Sequence, residues 1–201
     1  MAEHGLRTRR VSEDAARSVT RRKRGGSPRA TDAPRLAGLP PIENPRARVL
    51  ILGSMPGVAS LAAGQYYAHP RNLFWILLGE LLGFDPAADY ALRVRALKAA
   101  GVALWDVIGS CQRPGSLDAR IAPASVVAND FAGFLDRHPL LECVCFNGAA
   151  AAANFERHVR PGLDTRELEF IRLPSTSPAN ASIPWARKRA AWAAALARIA
   201  A

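Results

Sequence analysis

Four short apolar segments that alternate with helical segments constrain the fold of this chain more than any other feature. These segments run from Arg48 to Gly53, from Val102 to Val107, from Leu140 to Phe146 and from Glu167 to Leu173. The first is apolar at successive positions, which is typical of a strand that is buried on both faces. Helices between successive strands are the connections that parallel strands require. The sequence therefore predicts an α/β protein, a three-layer α/β/α sandwich around a central, mostly parallel four-stranded sheet.

The helices are predicted from apolar spacing and from residues that favour helix ends. They are expected over Asn72–Gly83, Tyr90–Ala100, Asn129–Leu135 and the alanine run Ala149–Ala153, and after Ser182. Gly83 is a natural helix end, and Asn129 and Ser182 are favoured N-cap residues.

The positive charge of the chain is concentrated before the first predicted strand. The 201 residues include 27 Lys and Arg against 17 Asp and Glu, a formal net charge of +10, and residues 1–48 hold 12 of the basic and 5 of the acidic residues. Residues 1–45 lack apolar periodicity and are predicted to be a disordered basic tail. This tail is either a solvated segment or a tether for DNA phosphates. Residues 46–201 are predicted to form one folded domain.

The composition also limits the classes of partner and cofactor that this protein is expected to bind. An excess of basic residues favours a polyanion, nucleic acid first. No run reaches the roughly 18 apolar residues of a membrane span, so we expect no membrane partner and a cytoplasmic location. The three cysteines, Cys111, Cys143 and Cys145, suit a reducing compartment and are too few for an iron–sulfur cluster or a structural zinc. No metal or other cofactor is expected.

Two loops at the predicted carboxyl ends of strands, where chemistry collects in such sheets, carry distinctive segments. The first strand leads into Gly53-Ser54-Met55-Pro56-Gly57, then Tyr66-Tyr67-Ala68-His69-Pro70-Arg71-Asn72 and Leu73-Phe74-Trp75. The last strand leads into Pro174-Ser175-Thr176-Ser177-Pro178-Ala179-Asn180. In this order, the segments resemble the uracil-DNA glycosylase superfamily, and its hypoxanthine-DNA glycosylase-like branch most closely. The resemblance covers about Val49 to Leu196.

This resemblance implies a uracil-DNA glycosylase-like fold and a monofunctional DNA glycosylase for base excision repair. The enzyme would hydrolyse the N-glycosidic bond of deaminated bases, hypoxanthine and also uracil, in double-stranded DNA, with single strands left open. It would act as a monomer at the nucleoid. Lys98 and Lys188 are the only lysines in the predicted domain and lie outside the strand-end loops, which disfavours a covalent Schiff base and favours attack by water.

Two departures from the family pattern keep other functions open. Met55 stands where mismatch-specific relatives carry an asparagine that orients the water, and Ser175 stands about where the classical uracil enzymes place a histidine. A G:U or G:T mismatch-specific uracil or thymine glycosylase would share the fold, and a catalytically silent DNA-binding module would fit the departures. A small-molecule hydrolase is disfavoured because the G-x-S-x-G elbow is missing.

The resemblance makes Asn72 the predicted catalytic residue. Its amide can both accept from and donate to a water molecule, and so hold that water against the sugar of a flipped nucleotide. The alternative is that Asn72 only caps the helix that begins there.

Base-binding residues are predicted on the same edge of the sheet: Gly53, Ser54, Tyr67, His69, Phe74 and Asn147. Phe74 either stacks on the base or packs in the core. Tyr67 and His69 either line the sugar site or pack. Asn147 either pairs with O6 and N1–H of hypoxanthine, or the equivalent edge of uracil, or only begins an Asn-Gly turn. Asp106 and Asp118 have either pocket or turn roles.

DNA contacts are predicted in the last loop and the helix after it: Ser175, Thr176, Ser177, Pro178, Ala179, Asn180, Arg187 and Lys188. Hydroxyl and N–H groups before a helix N-terminus suit phosphate, and Pro178-Ala179-Asn180 could fill the gap left by a flipped nucleotide. Arg187 and Lys188 oppose the helix dipole, which nearby phosphates would explain. An ordinary Ser/Pro loop and a solvated charged face are the alternatives.

Overall fold

The computed structural model describes Met1 and residues 33–163 and 168–197. Its elements in chain order are β1 (Arg35–Ala37), β2 (Val49–Gly53), α1 (Val58–Ala63), α2 (Phe74–Leu82), α3 (Tyr90–Ala99), β3 (Val102–Asp106), β4 (Ile108–Gln112), β5 (Val127–Ala128), α4 (Phe131–Arg137), β6 (Cys143–Asn147), α5 (Ala149–His158), β7 (Glu169–Leu173) and α6 (Trp185–Leu196). None of these helices is both long enough and apolar enough to cross a membrane.

The four predicted strands form one sheet, which confirms the α/β fold class. Its order is β3-β2-β6-β7, and every neighbouring pair is parallel. All residues of β2, β3 and β6 are buried, as expected for strands covered by helices on both faces. The register pairs Gly53 with Asp106 and Leu52 with Phe146. Asp106, Gly53 and Asn147 therefore end three adjacent strands at the same level of the carboxyl edge.

A second sheet lies outside what the sequence predicted. It is antiparallel, with the order β1-β4-β5, and Arg35 in β1 pairs with Gln112 in β4. Ile42 also forms a bridge with Leu104 of β3. Arg35–Ala37 and Ile42, which the sequence assigned to the tail before residue 46, thus pair with strands of the folded body. The remainder of the predicted tail, residues 2–32, lies outside the described residues.

Helix ends agree with the sequence prediction at Gly83 and differ at two other positions. Gly83 ends α2 in the left-handed region, with φ of 75°. Asp130, not Asn129, caps α4 by accepting from the backbone N–H of residue 133, whereas Asn129 donates to the backbone oxygen of Asp106 at 2.7 Å. Pro184 rather than Ser182 precedes α6.

Aromatic packing fixes the elements that carry the two distinctive loops. Phe74 of α2 and Trp192 of α6 are fully buried, and their rings meet edge to face with centroids 6.1 Å apart. The indole Nε1 of Trp192 donates to the backbone oxygen of Pro174 at 2.9 Å. The segment that follows β7 is thus held against the start of α2.

Candidate active site at the carboxyl edge of the sheet

A cavity of about 330 Å³ lies at the carboxyl edge of the parallel sheet, within the usual size range of small-molecule sites. Its walls come from segments that are far apart in the sequence but follow adjacent strands. Predicted site residues in its lining are Gly53, Ser54, Tyr67, His69, Asn72, Asn147, Ser175, Ser177, Pro178 and Ala179. Phe74, Thr176, Asn180, Arg187 and Lys188 are predicted site residues outside this lining.

The aromatic side chain that lines the cavity is Tyr67 and not Phe74, which the sequence predicted. Phe74 is fully buried, and the ring of Tyr67 stacks on it with centroids 3.9 Å apart and planes 20° apart. Tyr67 adopts a left-handed backbone conformation, with φ of 54°, which is a genuine outlier for a bulky residue and marks functional sites. The predicted stack of Phe74 on a base is therefore corrected: Phe74 supports Tyr67, and Tyr67 lines the cavity.

Asn72 lies one residue before Leu73, the N-cap of α2, and it both bonds to the start of the helix and lines the cavity. Its Oδ1 accepts from the backbone N–H of Phe74 at 3.0 Å, which satisfies a free donor at the start of α2. The same side chain lines the cavity. His69 is held nearby, since its backbone oxygen accepts from the N–H of Asn72 at 2.8 Å and its Nδ1 accepts from the N–H of Arg71 at 3.2 Å.

Asn147 is engaged at both ends of its amide. Its Oδ1 accepts from the backbone N–H of Thr176, and its Nδ2 donates to the hydroxyl of Thr176, both at 2.9 Å. Thr176 is fully buried, and its backbone oxygen accepts from the N–H of Leu73 at 3.0 Å. Thr176 therefore joins three segments of the fold, and its predicted contact with DNA is corrected. Pairing of a base with both ends of Asn147 would require breaking the bonds to Thr176.

Lys188 is also a structural residue. It is only 1% exposed, and its Nζ donates to the backbone oxygens of Ser175 at 2.6 Å and of Asn180 at 2.8 Å. Burial lowers the pKa of this ammonium. The predicted phosphate contact of Lys188 is therefore corrected, because its donors hold the loop before α6. Arg187, next to it, is exposed.

Asp106 is a strongly perturbed carboxyl group of the cavity wall. It is 4% exposed, and its Oδ2 lacks a hydrogen-bond partner among the described residues. Burial raises the pKa of Asp106 to about 8, with a smaller contribution from the negative charge of Asp118, and the positive charge of Arg113 opposes the shift. Strong perturbation inside a cleft is typical of functional residues.

The carboxyl of Asp106 and the hydroxyl of Tyr67 converge above Gly53. A Cβ on residue 53 would lie 2.1 Å from Oδ1 of Asp106 and 3.1 Å from Oη of Tyr67, so only glycine fits there. Oη of Tyr67 is buried and, like Oδ2 of Asp106, has no hydrogen-bond partner in the described part of the chain. Burial and the charge of Asp106 raise the pKa of the Tyr67 phenol, which therefore stays protonated.

Arg113 is a positioning residue that the sequence did not single out. Its guanidinium is buried and donates to the backbone oxygens of Gly115 at 3.0 Å, Met55 at 3.4 Å and Pro56. It also lies 3.8 Å from the carboxylate of Asp118, which lines the cavity. Arg113 lies in a Gly/Pro/Ser-rich loop without periodicity, so the sequence carries no signal for this contact. For Asp106 the sequence does carry a signal, because an acidic residue ends an otherwise apolar strand.

The cavity wall holds no evident metal site. Within residues 33–163 and 168–197, no three His, Cys, Asp or Glu side chains are grouped so that they could hold a metal ion.

Comparison with known proteins gives consistent matches over most of the chain. The model of the uracil DNA glycosylase superfamily matches residues 40–199. A hypoxanthine DNA glycosylase of Methanosarcina barkeri (strain Fusaro / DSM 804) is 37% identical over 162 residues, which are 80% of this chain and 98% of the relative. A hypoxanthine DNA glycosylase of Methanosarcina acetivorans is 36% identical over 144 residues, 71% of this chain and 87% of the relative.

Two further matches concern uracil enzymes. A solution NMR structure of a uracil DNA glycosylase candidate from Methanosarcina acetivorans has a TM-score of 0.70 and 32% identity, and covers 83% of this chain and 99% of its own. A G/U mismatch-specific uracil DNA glycosylase of Schizosaccharomyces pombe is 30% identical over 120 residues, 57% of this chain but only 35% of that protein. The match of the family model begins at residue 40, inside the segment that the sequence assigned to the tail.

Proposed function

The chain belongs to the uracil DNA glycosylase superfamily, and from this premise we propose that it hydrolyses the N-glycosidic bond of hypoxanthine deoxynucleotides in DNA. It is a DNA glycosylase for deaminated bases, since the two relatives matched over most of their length are hypoxanthine DNA glycosylases. The mismatch-specific uracil enzyme is a more distant relative. The G:U or G:T alternative is correspondingly weaker, and the same relatives disfavour a silent DNA-binding module.

One observation carries this proposal. The three segments that carry the family resemblance, which begin at Gly53, Tyr66 and Pro174, meet around one cavity of about 330 Å³ whose lining includes Ser54, Asn72 and Ser175. A cavity of this kind admits a base only after the nucleotide has left the stack, as base-excising enzymes require. The ring of Tyr67, rigidly backed by Phe74, supplies a stacking surface worth about 1–3 kcal/mol per base.

In the proposed reaction a water molecule attacks the sugar while the base departs. Asn72 holds this water: its Oδ1 has a second lone pair beyond the bond to the N–H of Phe74, and its Nδ2 can donate. An amide positions the water without taking its proton. A covalent lysine intermediate is disfavoured, because Nζ of Lys188 is committed to two carbonyl oxygens and Lys98 lies in the last turn of α3.

DNA contact is proposed for the loop between β7 and α6. Ser177 accepts from the N–H of Ala179 at 3.3 Å and begins a short 3₁₀ helix, Pro178–Asn180, at the cavity wall. This turn is suited to fill the gap left by the flipped nucleotide, with Arg187 and the hydroxyl of Ser175 available to phosphate. We propose double-stranded DNA as the substrate, bound by a monomer at the nucleoid in the cytoplasm.

A panel of lesions tests the proposal. Duplexes containing hypoxanthine, uracil opposite guanine, thymine opposite guanine, or no lesion are incubated with the full-length protein and then treated with alkali. We expect strand scission of the hypoxanthine duplex only after alkali, because a monofunctional enzyme leaves an intact abasic strand. Cleavage of the uracil or thymine duplexes alone would favour the mismatch-specific alternative. Absence of abasic sites from every duplex would refute the function.

A further inference from the structure

Two polar groups of the cavity have no part in the water attack described above. Asp106 and Tyr67 both line the cavity, and their Oδ2 and Oη atoms are buried without a hydrogen-bond partner in the described ranges. Native structures satisfy nearly all buried polar atoms, so such atoms mark places where a ligand or water completes the bonding. Both side chains lie close to Gly53, and their unpartnered atoms indicate a polar partner in the cavity that they line.

The hydrogen-bonding edge of the base also needs a protein partner other than Asn147, the residue expected from the sequence. An amide at Asn147 would match O6 and N1–H of hypoxanthine, but both ends of this amide already bond to Thr176. Asp106 ends the strand on the other side of Gly53 at the same level. It therefore lies at the same edge of the cavity, and its Oδ2 has no hydrogen-bond partner among the described residues.

The surroundings of Asp106 favour its neutral form. The ionisable groups that act on it or share its cavity are Asp118, Arg113, Tyr66, Tyr67 and His69. Arg113 is the cation of this set that acts on Asp106, and its guanidinium is already bonded to backbone oxygens and close to Asp118. Asp106 is 4% exposed and has an acidic neighbour, and no ion pair is formed with it in residues 33–163 and 168–197, so its carboxyl holds its proton near neutral pH.

We propose that the protonated carboxyl of Asp106 binds the edge of the extruded base, its carbonyl oxygen accepting from N1–H and its hydroxyl donating to O6. This assignment rests on the proposed function. A neutral carboxyl presents a donor and an acceptor side by side, as an amide does, whereas a carboxylate presents only acceptors and repels O6. The bond to O6 also strengthens as negative charge develops on the departing base, so Asp106 assists cleavage as well as binding.

The pH dependence of single-turnover excision tests this proposal on hypoxanthine duplexes between pH 5.5 and 10. For the wild type we expect a rate that is level below about pH 8 and then falls about tenfold per pH unit as one proton is lost. Asp106→Ala should lose about 10–100-fold at neutral pH, the value of a bidentate base contact. Asp106→Asn, which keeps a donor and an acceptor, should recover most of that loss and lack the alkaline fall.

Two controls make the result specific. Ionisation of the substrate affects the wild type and Asp106→Asn alike, so the difference between their profiles belongs to the carboxyl. Asp118→Asn removes a charge that raises the pKa of Asp106, and should therefore move the alkaline fall to lower pH. Thermal unfolding and binding to a duplex with an abasic site verify that each variant is folded.

The outcomes separate this inference from the proposed function. If the wild type releases no hypoxanthine at any pH, the proposed function fails. If it does, three results would overturn the role of Asp106: Asp106→Ala is as fast as the wild type, Asp106→Asn keeps the alkaline fall, or the rate rises with pH and Asp106→Asn is inactive. The last result would make the carboxylate a general base toward water.

Discussion

Asn72 bonds to the start of α2 and, in the proposed reaction, also holds the attacking water, and two substitutions separate these roles. Its Oδ1 accepts from the N–H of Phe74 at 3.0 Å at the start of α2, and the side chain also lines the cavity. Asn72→Ala removes both functions. Loss of this bond to the N–H two residues on, one position before the N-cap Leu73, should lower the free energy of unfolding by about 0.5–1.5 kcal/mol. Loss of one preorganised polar group should lower the excision rate by about 10²–10³, equivalent to roughly 2.7–4 kcal/mol in the transition state.

Asn72→Ser is the matched variant. A serine hydroxyl can form the same bond to the backbone N–H two residues on, although more weakly than asparagine, but it is shorter and has no amide to hold the water. We expect Asn72→Ser to unfold near the wild-type temperature and to lose as much activity as Asn72→Ala. For a chain of this length, the loss of this bond in Asn72→Ala corresponds to a Tm lower by roughly 1–6 °C.

Single-turnover excision of hypoxanthine and thermal unfolding, measured on the same preparations, provide the two readouts. Binding to an uncleavable abasic duplex should change little in either variant. The assignment of the water to Asn72 is refuted if Asn72→Ser excises hypoxanthine at the wild-type rate, because the side chain would then act only through its bond to the start of α2. A loss of activity that simply follows the loss of stability across both variants would refute it too.

Three further substitutions test the supports of the cavity. Lys188→Met removes two hydrogen bonds from a charged donor and should lower the free energy of unfolding in urea by about 1.5–3 kcal/mol. The control Arg187→Met, in the same turn but exposed, should change it by less than about 0.5 kcal/mol. Equal effects of the two substitutions would contradict the structural role of Lys188. Gly53→Ala places a methyl group 2.1 Å from Oδ1 of Asp106, so it should destabilise the fold by about 1–3 kcal/mol and impair excision, while Gly162→Ala, with open space around it, should do neither. Because the pKa of Asp106 is raised from its ordinary value to about 8, wild-type stability should fall by up to about 1.4 kcal/mol per pH unit as pH rises from about 4 to 8, and urea unfolding of Asp106→Asn should lack this part of the fall.

The parallel sheet could be predicted because three of its four strands, β2, β3 and β6, are buried on both faces. Val49 to Gly53 is entirely buried, and a run of this kind has few other places in a fold. The second sheet could not be predicted, because β1 has three residues and β5 has two, too few to establish a period. Its pairing depends on long-range contacts, such as Arg35 donating to the hydroxyl of Ser110 at 2.9 Å.

At the candidate site, the sequence identified positions better than roles. Most predicted residues line the cavity, since motifs at strand ends must meet at one edge of a parallel sheet. Residue type alone could not tell that Phe74 lies behind Tyr67, or that Lys188 and Thr176 bond inward rather than toward DNA. A lysine or threonine in a basic, polar loop has the same composition in either case, and only the packing decides which carbonyl or amide it meets.

The pairing of Arg35–Ala37 with β4 bears on where the polypeptide can be shortened. A polypeptide that begins at residue 46, the point suggested by composition, would lack β1, so β4 would become an exposed edge strand with unpaired backbone donors and acceptors. Exposed edge strands of this kind pair with strands from other molecules. Such a shortened protein should precipitate or self-associate, whereas one that begins just before residue 33 keeps β1 paired with β4.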